Sequence, residues 1–91
     1  MPVITLIVNH PAGLHARPAA LFVKMAKTFS CDITVRKIDS EKPSVNAKNI
    51  LSVLTLGINQ GSTIEVEAQG DGAEIALQSL KKLVESNFGE N

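Results

Sequence analysis

Gly13-Leu14-His15-Ala16-Arg17-Pro18-Ala19 brings a titratable ring, a permanent cation and two backbone-shaping residues into one short run. Apolar periodicity begins at Ala16, so His15 stands immediately before the start of a helix. The first N–H groups of a helix have no intrahelical partner and carry the positive end of its macrodipole, so an anion beside His15 would meet donors already aimed at it. Pro18 in the first turn loses nothing there, because its missing N–H is one that would be unpaired and its fixed φ suits the turn. Arg17 adds a planar, always-charged fork matched to phosphate oxygens, and Gly13 lets the loop bend sharply. A histidine is largely neutral near pH 7, which leaves a ring nitrogen to act as a nucleophile. Together these residues point to a phosphoryl acceptor: His15 as the nucleophile, with Ala16, Arg17 and Pro18 around the bound phosphate. The competing reading is that His15 merely caps the helix.

The elements that must hold this segment follow from pattern. Val3 to Val8 is rich in β-branched residues and stops at Asn9-His10-Pro11-Ala12-Gly13, which gives a first strand and a loop. Ala16, Ala19, Ala20, Val23 and Ala26 recur at helical spacing, with Phe22 and Phe29 widening the stripe, which predicts a first helix over residues 16–29. Ile33, Val35 and Ile38 make a second strand that turns through Asp39 to Pro43 into a short third one around Val45, forming a hairpin. Asn49 can cap a short second helix over residues 50–56, closed by Gly57. Ile64, Val66 and Ala68 alternate with Thr63, Glu65 and Glu67, a fourth strand with one wet face. Asp71, with Glu74 three residues on, reads as a capping box opening a third helix that ends near Gly89, its apolar stripe running Ala73, Ala76, Leu77, Leu80, Leu83 and Val84. The order β-α-β-β-α-β-α, with amphipathic helices needing a common surface, gives an α+β fold of two layers, a single sheet with helices on one face.

Ninety-one residues, 44% of them hydrophobic, suffice for one domain spanning 1–91 and for no second core. Nine basic residues balance nine acidic ones, which argues against nucleic acid, whose binding is driven by phosphate neutralisation; only Phe22, Phe29 and Phe88 could stack on a base. The charge is nevertheless uneven, since residues 1–31 hold Arg17, Lys24 and Lys27 and no acid. Cys31 is the only cysteine, so no intramolecular disulfide forms and a reducing, cytoplasmic setting is expected. The apolar start is far shorter than the roughly 20 residues of a membrane span and has no basic flank, so neither a membrane anchor nor a signal is expected. Met1 suggests a free-standing protein. The usual zinc spacings are missing, and no metal is expected.

The sequence resembles the histidine-containing phosphocarrier (HPr) family of the bacterial phosphoenolpyruvate:sugar phosphotransferase system. The resemblance is carried by Gly13-Leu14-His15-Ala16-Arg17-Pro18-Ala19-Ala20 and continues through Phe22-Val23, Ala26, Phe29, Asn46-Ala47-Lys48, Leu56-Gly57, Gly61 and Gly70, nearly the whole chain. It implies an open-faced two-layer β-sandwich, with a four-stranded antiparallel sheet and three helices on one face. It implies also that His15 takes a phosphoryl group from phosphorylated Enzyme I and passes it to a histidine of an enzyme IIA domain, with Arg17 and the amides opening the first helix steadying it. Such a carrier has a phosphohistidine intermediate without being an enzyme in the full sense, requires no cofactor of its own, and is expected to be a monomer. The match through Asn46-Ala47-Lys48 puts Asn49 where many members carry a regulatory serine; asparagine caps equally well but cannot be phosphorylated, so no kinase control is expected at residue 49, Ser52 being a weaker candidate. The loop between the second and third strands looks longer than usual.

Leu21 and Met25 lie four apart on the first helix and off its core stripe, and Ile50, Leu51 and Leu54 supply more apolar surface than so short a helix can bury in one direction. These five, rimmed by Arg17, Lys24, Lys27 and Lys48, form a candidate docking patch for acidic protein partners; the competing reading makes Met25 and Leu54 core. His10 reads as a solvated loop residue, Cys31 as a small buried one, Phe88 as either packed on the last helix or frayed with the tail, and Glu65 and Glu67 as an outward strand face rather than a glycosidase pair. Two other readings compete: a nitrogen-related regulatory phosphocarrier, and a non-carrier α+β interaction domain.

Overall fold

A computed structural model describes residues 2–89. The strands are β1 (Val3–Ile7), β2 (Asp32–Lys37), β3 (Val45–Asn46) and β4 (Thr63–Gln69); the helices are α1 (Ala16–Lys27), α2 (Ile50–Leu54) and α3 (Ala73–Glu85), followed by a 3₁₀ turn at Asn87–Gly89. One sheet of order β1-β4-β2-β3 contains all four strands, every pairing antiparallel. The β2–β3 hairpin forms as the sequence predicts, with Val35 opposite Val45.

Register settles which face each strand buries. Leu6 pairs with Ile64 across β1–β4, and Val35 with Val66 across β2–β4, so one face of the sheet is continuously apolar. Thr5, Glu65 and Arg36 lie opposite one another on the other face, which stays open to water, and there the Arg36 Nε donates to Glu65 Oε1 at 3.1 Å. Because side chains alternate with period two, this single choice of register decides every inward residue. The three helices cover the apolar face. Phe22, Val23 and Ala26 of α1, Val53 of α2, and Ala76, Leu77, Leu80 and Val84 of α3 meet Leu6, Ile33, Val35, Ile64, Val66 and Ala68 of the sheet in one core. The architecture is an open-faced sandwich of α+β class.

The structure differs from the sequence reading at several element ends. α1 stops at Lys27, two residues short, because Thr28 folds back: its N–H and its hydroxyl both donate to the Met25 carbonyl. α2 stops at Leu54, where the Thr55 hydroxyl donates to Ser52 O at 2.6 Å. The capping box at the third helix does not form. Gly72 occupies the cap position with φ +78 and no side-chain cap is made. The chain crosses from β4 to α3 through Gly70 and Gly72, both in the left-handed region, and this tight path leaves Asp71 on the exposed outside of the turn rather than under the helix start. His10 is also not a freely solvated loop residue. It is half-buried, its Nδ1 accepts from the Ala12 N–H at 3.0 Å, and its ring meets Phe88 edge-on at 5.8 Å. Phe88 is correspondingly buried, so the tail packs and does not fray there.

The long loop between β2 and β3 has a structural use. Lys42 reaches back to donate to Thr55 O at 2.7 Å, and Lys37 at the end of β2 donates to Gly57 O at 3.2 Å. Two cations therefore meet the carbonyls that follow a five-residue helix, where the macrodipole is negative, and a helix too short to be stable alone gains two charge-assisted anchors.

Candidate functional site

His15 occupies the N-cap position of α1 in extended conformation (φ −127°, ψ 157°), and its side chain makes no capping hydrogen bond. The ring is half-buried and turned to a different partner, with Nε2 lying 3.2 Å from Asn59 Oδ1. The reading in which His15 merely caps the helix thereby fails on geometry. The first turn of α1 carries no acidic side chain, so the positive end of its dipole is not offset from within the helix. Arg17 is exposed in that first turn, and Pro18, the third helical residue, is buried. Ala16 and Arg17 are the first two residues of α1, so neither N–H has a carbonyl four residues back within the helix.

Ala16 itself stands at φ +53, a left-handed conformation that costs an L-residue about 1 kcal/mol. The strain sits at the residue directly after the histidine, on the backbone that sets the direction of the ring relative to those amides.

The loop before the helix is fixed from the other side of the molecule. Leu14 N–H donates to Ile58 O at 2.9 Å, and Leu14 is fully buried. Gly13 lies so close to this segment that a Cβ there would fall 2.3 Å from Ile58 O and 2.6 Å from the Asn59 Cα. Glycine is therefore required at residue 13 by contact as well as by its φ of +61. The 59–62 turn is in turn tied to the end of β1, through Gly61 N–H to Val8 O at 2.7 Å and Val8 N–H to Ser62 O at 2.9 Å, and Ser62 Oγ accepts from the Asn59 N–H at 3.0 Å. These bonds bring Asn59 to His15 across 44 residues of sequence.

The segments that build this site all lie within a match to a known family. Residues 3–86 match the family model described as the PTS HPr component phosphorylation site. The chain belongs to the HPr family. Among relatives, it is 42% identical over 78 residues to the phosphocarrier protein HPr of Streptomyces coelicolor, covering 86% of this chain and 82% of that one. It is also 36% identical over 87 residues to a multiphosphoryl transfer protein of Haemophilus influenzae, covering 96% of this chain but only 17% of that protein. The chain thus spans about a fifth of the length of the multiphosphoryl transfer proteins it matches. The crystal structure of HPr-C-His from Thermoanaerobacter tengcongensis superposes with a TM-score of 0.92 at 43% identity, over 100% of this chain and 99% of that one.

Within this HPr-family chain, the candidate docking residues fall into two groups. Leu51 is 72% exposed, with Ile50 and Leu54 at the border of exposure, so the outer side of α2 is apolar surface. Leu21 and Met25 are half-buried and pack against the core. Lys24 and Lys27 are exposed on α1, whereas the Lys48 ammonium donates to Phe29 O at 2.7 Å and ties the segment before α2 to the end of α1. Asn49 caps α2, its Oδ1 accepting from Ser52 N–H at 3.1 Å. Cys31 is buried and unpaired with any other cysteine. Among the described residues no cluster of His, Cys, Asp and Glu could hold a metal ion, and no helix is long and apolar enough to cross a membrane.

Asn59 is the site residue that sequence reasoning passed over. Asn59-Gln60-Gly61 carries a turn signal, and nothing local distinguishes a turn asparagine from one aimed at a distant ring.

Proposed function

We propose that this chain is a phosphocarrier of the phosphotransferase system, accepting a phosphoryl group on His15 from phosphorylated Enzyme I and delivering it to a histidine of an enzyme IIA domain. The observation that carries the reading is the placement of His15: at a helix start, held by a neutral amide on one nitrogen, with no capping bond occupying its side chain and no acid in the first turn. A lone pair on the ring attacks phosphorus while the donor's bond to phosphorus breaks and its electron pair returns to the donor. The phosphoryl dianion then lies against the Ala16 and Arg17 amides and within reach of the Arg17 guanidinium. Positioning and charge stabilisation do this work, and no dedicated base is required. Nothing in the step calls for a cofactor on this chain.

Docking is assigned to the apolar outer side of α2, Ile50, Leu51 and Leu54, next to the basic residues Arg17, Lys24 and Lys27. Asn49 leaves the start of α2 without a phosphorylatable hydroxyl. The carrier acts as a monomer in the cytoplasm in this reading.

The test is incubation with radiolabelled phosphoenolpyruvate and Enzyme I. One acid-labile, base-stable phosphate per chain is expected, mapped to His15 and missing from His15→Ala. Label elsewhere, or none on the intact chain, overturns the reading. Replacing Enzyme I with its nitrogen-related counterpart in a parallel reaction distinguishes the sugar branch from the regulatory one.

A further inference from the structure

We infer that Asn59 is a positioning residue for His15, selecting the tautomer that leaves Nδ1 as the reactive nitrogen; the inference rests on the phosphocarrier reading above. A neutral imidazole carries one proton, so one nitrogen donates and the other offers a lone pair, and the hydrogen bond made by one decides the role of its partner. Asn59 Oδ1 can only accept, and it lies 3.2 Å from His15 Nε2. The proton therefore sits on Nε2 and the lone pair on Nδ1. Nδ1 is the nitrogen nearer the main chain by covalent connection, and it is the ring nitrogen that the Asn59 contact leaves with its lone pair.

The bookkeeping of the transfer closes without moving a proton. The Nδ1 lone pair forms the new N–P bond, the donor's bond to phosphorus breaks, and the donor, a phosphorylated imidazole of a partner protein, recovers the electron pair. His15 then bears phosphorus on Nδ1 and hydrogen on Nε2, so the ring gains positive charge as the bond forms. The Nε2–H to Oδ1 hydrogen bond becomes charge-assisted at that moment and is stronger in the transition state than before it. Delivery to the next acceptor runs the same steps in reverse.

The backbone around Asn59 is built to hold this contact independently of its side chain. The Asn59 N–H donates to Ser62 Oγ, the Ser62 N–H donates to Asn59 O, and Gly13 packs directly against the Asn59 Cα. Removing the amide therefore leaves the turn in place, and the expected effect is on the ring.

The test has two readouts. In the ¹⁵N-histidine-labelled protein without phosphate, at about pH 9 where an ordinary histidine is neutral, two-bond couplings to the ring protons should show Nε2 protonated and Nδ1 unprotonated in the parent chain and in Asn59→Asp, which keeps an acceptor. In Asn59→Ala the two nitrogens should move toward averaged, tautomer-mixed shifts. Phosphoryl transfer from Enzyme I at saturating donor should fall about 3- to 10-fold in Asn59→Ala, the loss of one modest hydrogen bond, with the donor concentration at half-rate little changed. Identical ring-nitrogen shifts in the parent chain and Asn59→Ala, or transfer in Asn59→Ala at the parent rate, overturn the inference while leaving the carrier reading intact. Absence of any phosphorylation in the parent chain removes the carrier reading, and the nitrogen shifts still decide what Asn59 does.

Discussion

Gly13→Ala is the substitution that most directly probes how the site is assembled. The added methyl would sit 2.3 Å from Ile58 O, 2.6 Å from Asn59 Cα and 2.9 Å from Asn59 C, all backbone atoms that cannot rotate away. The two loops must part by about an ångström, a shift that also stretches the 2.9 Å bond from Leu14 N–H to Ile58 O in a fully buried setting. Backbone displacement by overpacking, the left-handed φ and a weakened buried hydrogen bond together cost about 3–5 kcal/mol. For a domain of this size that is a fall in Tm of roughly 15–30 °C. Gly57→Ala supplies the control. Gly57 has a nearly equal φ of +66, yet nothing lies within 4 Å of the Cβ it would carry, so its substitution carries the conformational cost alone, about 1 kcal/mol. Urea unfolding of both variants separates contact from conformation. Equal losses of stability in Gly13→Ala and Gly57→Ala would mean that contact with Ile58 and Asn59 is not what excludes a side chain at residue 13. A second readout is phosphoryl transfer on refolded Gly13→Ala, which should fall because the loop bearing His15 and the turn bearing Asn59 no longer meet at the same spacing.

Further predictions concern separate parts of the molecule. Leu51→Glu, at a site 72% exposed, should change stability by less than about 0.5 kcal/mol and yet slow transfer from Enzyme I; parent-like transfer rates would remove α2 from the docking surface. Phe88→Ala should lose about 3–5 kcal/mol in urea unfolding, because the ring is buried and packs edge-on against His10, and a loss under about 1 kcal/mol would mean that the tail is not part of the core. Asn49→Ala should lose about 1 kcal/mol with the cap of α2, whereas Asn49→Ser should stay within a few tenths, and equal losses would rule out capping as the reason for a polar residue there. The pair Arg36–Glu65, with side chains 36% and 31% exposed, should show a coupling below about 1 kcal/mol in a double-mutant cycle that shrinks in high salt; a larger, salt-insensitive value would contradict its placement on the open face.

The period-two pattern of Ile64, Val66 and Ala68 and the helical stripe from Ala73 to Val84 were legible because each is a local pattern enforced by one buried face, and the structure has both. Element ends were less legible. The third helix is the instructive case, since Asp71 and Glu74 satisfy the capping-box spacing, but two left-handed glycines at 70 and 72 take the chain along a path on which Asp71 cannot reach the helix amides. Spacing alone cannot say which of two compatible local devices the chain uses. His10 shows the same limit: a histidine before proline looks like any loop residue until Phe88, from the other end of the chain, is folded against it.

The amino-acid order alone determined the two-layer α+β class, the sequence of elements and the position of His15 at a helix start, because these depend on apolar periodicity and on residue types within a few positions of one another. Only the tertiary structure decided which nitrogen of that histidine is engaged, why residue 13 has no room for a side chain, and which lysines near α2 hold carbonyls. Each of those rests on a contact between segments tens of residues apart, and such a contact exists only once the sheet register has brought the 59–62 turn beside the loop that precedes the first helix.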